Sequence, residues 1–155
     1  MHFWRVENLK SELASRPMTD REVLPYFVVN AVLTSLSFAF PSSEFNLWDL
    51  LSTSWSIGLA VFGTIYLFHQ NGGLTGTQFP QRFVAIGWVV GLRWCAWIIP
   101  LYFLCVITEI FAGETNVLEF LLDAMTETLL VHRIGFHIRD VALRTTASAA
   151  QAQPT

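Results

Sequence analysis

Residues Phe83–Ile107 (FVAIGWVVGLRWCAWIIPLYFLCVI) contain a single charge, Arg93. A hydrocarbon core needs roughly 20 residues of helix, at about 1.5 Å rise each. A stretch this long and this apolar reads as a membrane span. Three others accompany it. Val23–Phe40 has no charge, and Leu47–Phe68 has one acid, Asp49, close to its start. Val117–Ile138 is less clean, with Glu119, Asp123, Glu127, His132, Arg133 and His137. The chain as a whole agrees with this reading. It is 155 residues long, 53% hydrophobic and 14% charged, where soluble domains carry about 25% charged residues. A formal net charge of -3, from 9 Lys+Arg and 12 Asp+Glu, excludes a basic nucleic-acid binder. Two cysteines exclude a disulfide-dense scaffold.

The punctuation between the spans fits helices. Thr19–Glu22 (TDRE) reads as a capping box, with Met18 and Val23 as its staple. Pro41-Ser42-Ser43 stops the first span, Asn71-Gly72-Gly73 the second and Ala112-Gly113 the third. Asn116 with Glu119 resembles a further cap. Pro25 and Pro100 fall within helical stretches and should bend them. Residues 1–22 then form a cytoplasmic amphipathic segment, with Phe3, Trp4, Val6, Leu9 and Leu13 on one face. They carry charge and lack an apolar core of their own, so no cleavable signal peptide is expected. Residues 23–138 form the transmembrane domain, and 139–155 a cytoplasmic tail expected to be largely disordered.

Basic residues set the orientation. Arg5, Lys10, Arg16 and Arg21 precede the first span, Arg82 closes the second loop, and Arg133, Arg139 and Arg144 lie at the end of the fourth. The loops around Glu44 and around Glu109 and Glu114 have no Lys or Arg. The expected fold is therefore an all-α, antiparallel four-transmembrane-helix bundle with both termini cytoplasmic. A bacterial inner membrane suits the compact layout. The rival arrangement is three spans plus an amphipathic fourth helix lying in the interface.

Charge inside the bilayer is costly, about 2.5–3.5 kcal/mol per group at mid-membrane, and needs partners. On the fourth span Glu119, Asp123, Thr126, Glu127, Arg133 and His137 fall within about 120° of the helix circumference, so this arc should face other helices. Arg93 is about 15 Å along its span and Glu127 about 16 Å along the antiparallel fourth. The matching depth predicts an intramembrane pair, Arg93 with Glu127, with Asp123 one turn away as the other acceptor. Its plainest role is to fix helix register. Read functionally, Asp123, Glu119 and Glu127 form a candidate proton or cation site. Gly87 and Gly91 have the GxxxG spacing of close helix packing, within the chain or between copies. Asn30, Ser54, Ser56 and Thr64 can hydrogen-bond between helices.

Catalytic and metal patterns do not emerge. The loop Asn71–Gly76 (NGGLTG) lacks the ending of a phosphate-binding loop and reads as a turn, although with Gln78, Gln81 and Arg82 it could meet a partner. His132 and His137 lack the i, i+4 spacing of a helical metal site. Cys95 and Cys105 are about 15 Å apart on one helix and cannot bond each other. Trp97, four residues after Arg93, could stack on its guanidinium. No cofactor and no enzymatic activity are expected. Two functions stay open. One is a non-catalytic accessory or assembly component of the lipid bilayer, with a membrane protein partner or further copies of itself. The other is a small oligomeric proton- or cation-coupled transporter or conduit using the intramembrane carboxylates.

Overall fold

The structure, a computed structural model, describes residues 6–15, 46–112 and 116–151. They form four helices: α1 (Val6–Ser15), α2 (Leu47–Gln70), α3 (Phe79–Ala112) and α4 (Asn116–Gln151). A 3-10 turn, Gly73–Thr75, lies between α2 and α3, and no strand occurs among the described residues. The expected first span, Val23–Phe40, with the Thr19–Glu22 cap, Pro25 and Asn30, lies outside them. Two helices, α2 and α3, are long and apolar enough to cross a membrane. The 36 residues of α4 have the length, about 54 Å of helix, but also the charges.

Local chemistry sets the helix ends. Asn46 Oδ1 accepts hydrogen bonds from Trp48 N at 2.8 Å and Asp49 N at 3.0 Å, while Asp49 Oδ2 accepts one from Asn46 N at 2.9 Å. This reciprocal box satisfies donors that have no partner within the helix. At the other end, α2 stops at Gln70, and Gly72 follows with φ 96°, a left-handed conformation in which a Cβ would be strained. Pro100 lies inside α3, and the helix continues through it.

The helix α4 packs against α1, α2 and α3, and α1 also packs on α3. Pairings along its length fix the directions. Trp48 meets Phe120 with ring centroids 6.1 Å apart, and Ser56 bonds Glu127, 71 residues later. Gly63 lies against Val131, and Tyr66 against Gly135. The sequence separation barely changes from one pair to the next, so α2 and α4 run parallel. Gly87 beside Ile134 and Arg82 beside Thr145 make α3 antiparallel to α4. Lys10 on Asp140 and Arg144 on Glu7 do the same for α1.

The buried core gathers at one end of this arrangement. Leu9 and Leu13 of α1 join Leu67, Ala85, Ile86, Val89, Ile134, Ile138 and Val141. Part of the expected interfacial face of the N-terminal segment is thus core. Away from that end, large apolar side chains stay exposed, among them Phe62, Trp97, Phe103, Ile110 and Phe111. Such surface is at home against lipid or other helices.

Two expectations change. The tail after Ile138 is helical as far as Gln151, where largely disordered chain was expected. Val141 is buried in the core with Leu9 and Leu13, and Arg144 pairs with Asp140 one turn earlier. Thr145 and Thr146 hydroxyls return to the Val141 and Ala142 carbonyls. Polar composition suggested disorder, but the packing of α1 supplies the missing burial. The tightest helix approach is also not at the GxxxG pair. A Cβ on Gly87 would sit 3.9 Å from Ile134 Cδ1, an ordinary contact, and a Cβ on Gly91 would meet nothing within 4 Å. A Cβ on Gly135 would sit 2.5 Å from Tyr66 Cε1, and one on Gly63 would sit 3.2 Å from Val131 Cγ1. Spacing on one helix does not reveal which glycine meets a ring on another.

Overpacking at such a contact costs about 1–3 kcal/mol. In detergent, Gly135→Ala should lower unfolding stability by that amount, while Gly91→Ala should stay within about 0.5 kcal/mol of wild type. Equal effects in chemical denaturation would contradict this assignment of the close approach.

Candidate functional site

The polar arc of α4 is largely drawn in among its neighbours. Thr126 is buried, and its hydroxyl donates to the Asp123 carbonyl at 3.0 Å. Glu119, Asp123 and Glu127 are half-buried. Ser56 of α2 shares its hydroxyl between the two Glu127 oxygens, at 2.8 and 2.9 Å. Of the hydroxyls expected to link helices, Ser56 does so, while Thr64 bonds back to the Ala60 carbonyl of its own helix.

Arg93 and Glu127 are not joined by an ion pair among the described residues. The ion pairs there join Glu7, Lys10, Asp140 and Arg144 instead. Depth alone predicted the Arg93–Glu127 contact, and the register through Gly87 and Ile134 does bring the two residues to similar height. Direction around the helix decides otherwise. Glu127 turns to the parallel neighbour α2, and Arg93 lines a cavity with Arg133 and His137.

That cavity lies between α3 and α4 and measures about 520 Å³. Val90, Arg93, Trp94, Ala96 and Trp97 line it from α3, and Arg133 and His137 from α4. A second hollow of about 340 Å³ shares Trp94, Arg133 and His137 and adds Leu129, His132 and Phe136. No acid lines either one among the described residues. Trp94 Nε1 and His137 Nδ1 are buried without a hydrogen-bond partner. Trp97 shares the wall with Arg93 but is 81% exposed, so most of its ring is open.

A charged clasp ties α1 to α4. Lys10 is buried, yet its Nζ reaches Asp140 Oδ2 at 2.8 Å and Glu7 Oε1 at 2.5 Å. Arg144 adds contacts to Asp140 at 2.9 Å and to Glu7 at 3.3 Å. The hydrogen bond from Lys10 holds the Asp140 carboxyl below its usual range, with Arg144 assisting and burial opposing. Glu7 is lowered chiefly by the same lysine. The i, i+3 spacing of Glu7 and Lys10, and the i, i+4 spacing of Asp140 and Arg144, are visible in the sequence. Their meeting across 130 residues is not.

The α2–α3 connection has a buried latch of its own. Arg82 donates to Asn71 Oδ1 at 3.0 Å and to Thr145 Oγ1 at 2.8 Å. Asn71 Nδ2 donates to the Thr77 carbonyl at 3.1 Å. Arg82 is only 1% exposed, so it serves the turn and not a partner at the surface.

Among the described residues no group of three or more His, Cys, Asp or Glu side chains is placed to hold a metal ion. Cys95 and Cys105 are free thiols, the second buried. No protein-family model matches the chain, and no curated protein or solved structure matches it.

The clasp gives a signed pH dependence. A carboxylate with a depressed folded pKa stabilises above its unfolded value, about 3.9 for Asp, and that stability is lost as pH falls through the folded pKa. Thermal melts in detergent should therefore show acid destabilisation beginning near pH 4. Asp140→Asn should cost about 1.5–3 kcal/mol at neutral pH and flatten part of that acid limb. An unchanged limb in this variant would remove Asp140 as its source.

Proposed function

We propose that the chain is a multi-pass integral membrane protein with a non-catalytic role, an accessory or assembly component that works through contacts with other helices. The observation that carries this reading is the Ser56–Glu127 contact. A carboxylate on the charged helix is used to hold α2 against α4. The Lys10–Asp140 clasp uses charge in the same way between α1 and α4. In this reading α2, α3 and α4 all cross the bilayer, with Val23–Phe40 as the first of four spans and both termini cytoplasmic, in a bacterial inner membrane. The exposed apolar flank of α3, with Phe103, Ile110 and Phe111, is then the surface for lipid, a partner helix or a second copy.

A second reading, a small proton- or cation-coupled transporter, draws on one observation. Asp123 and Glu127 lie one turn apart and half-buried on α4. The two readings separate in liposomes. An accessory protein should give the same proton and cation flux as protein-free vesicles, with Asp123→Asn and Glu127→Gln no different. A flux abolished by Asp123→Asn in a folded protein would put transport first. Cross-linking in native membranes supplies the positive test, since an assembly component should join a discrete neighbour or a second copy through α3. A chain that is always recovered alone would count against this role.

A further inference from the structure

We propose that the joined hollows between α3 and α4 bind the phosphate headgroup of an anionic phospholipid, with Arg93 and Arg133 supplying the charge and Trp94 and His137 the neutral donors. The proposal rests on the membrane reading above.

Charge complementarity is the first support. The linings of the two hollows include two arginines and two histidines, and no acid among the described residues. The nearest carboxylates on α4 face elsewhere. Glu127 faces Ser56, and Asp140 faces Lys10 and Arg144. Arginine forks match the paired oxygens of a phosphate diester.

The unpartnered polar atoms are the second. Trp94 Nε1 is buried without an acceptor, and an indole nitrogen can only donate. His137 Nδ1 is buried in the same condition. Both residues line both hollows. A phosphate oxygen between them would accept from either, whereas a cation would meet only donors and like charge.

Surroundings and depth decide for a lipid. Trp97 and Phe136 stand exposed beside the hollows and Leu129 lines the smaller one, so acyl chains meet apolar side chains next to the charge. Arg133 is five residues before the expected end of its span, about 8 Å of helix. That is within a side chain's reach of the inner headgroup layer, where anionic lipids collect and basic clefts between helices hold them.

Tryptophan fluorescence of the wild-type protein in detergent tests this, with brominated phosphatidylglycerol against brominated phosphatidylcholine as quencher. Half-quenching should require at least fivefold less of the anionic lipid. Arg93→Gln and Arg133→Gln should each bring that ratio to within twofold of unity. Arg139→Gln, an equal loss of charge at an exposed position outside both hollows, should leave it unchanged. Equal quenching by the two lipids in wild type overturns the proposal without reference to any variant. So does a preference that falls equally with Arg139→Gln, which would show bulk attraction alone. Millimolar inorganic phosphate should not displace the lipid, and displacement would assign the hollows to a free anion instead. Extraction in alkaline carbonate examines the membrane reading separately. Release from membranes overturns that reading, whereas retention without lipid preference overturns this one only.

Discussion

A helix bearing Glu119, Asp123, Glu127 and Arg133 cannot turn every side to hydrocarbon, and the arrangement of the other helices follows from that constraint. The three other described helices all pack on α4, which makes it the hub of the bundle although it is the least apolar of the long helices. Each contact answers a different part of its surface. Glu127 takes the Ser56 hydroxyl of α2, Asp140 takes the buried ammonium of α1, and Ile134 packs by Gly87 of α3. Hydrogen bonds between membrane helices contribute only about 0.6 kcal/mol each. Their effect here lies less in strength than in direction, because they select which face of α4 each neighbour must cover.

The two ends of the bundle are built by different means. Around Leu9, Ile86 and Val141 the side chains are fully buried, closed over by α1 and bordered by the Arg82 latch and the Lys10 clasp. Further along, α2 and α3 leave Phe62, Phe103 and Phe111 outward. A tightly packed polar-bordered end and an apolar open end suit a molecule whose inner end is fixed and whose outer end adapts to what surrounds it. Gly135 and Gly63 lie between the two, where α2 and α4 come closest.

Hydropathy carried much of the fold. Leu47 as the start of the second span, the stop at Asn71-Gly72-Gly73 and the end at Ala112 are written in runs of apolar residues and in turn chemistry. Such features are local, and a sequence states them directly. The site depended on geometry that a sequence does not state. Arg93 and Glu127 have matching depth, yet a helix offers a full circle of directions at each depth, and Glu127 points to α2. Lys10 counted toward orientation and turned out to be a buried partner of Asp140. The helical stretch from Arg139 to Gln151 escaped notice for a related reason, since its apolar contacts come from the far end of the chain.

The Lys10–Asp140 contact also bears on how such a molecule is made. Residues 10 and 140 are separated by nearly the whole chain, so α1 leaves the ribosome long before its acid exists. Until then Lys10 has Glu7 of its own helix as a partner, and Leu9 and Leu13 lack the covering they find beneath Val141. The closing of the inner end is therefore a late event, after the apolar helices have been handed to the membrane. Quality control acting before that moment would see an unfinished surface of leucines beside a lone cation, and after it a sealed one.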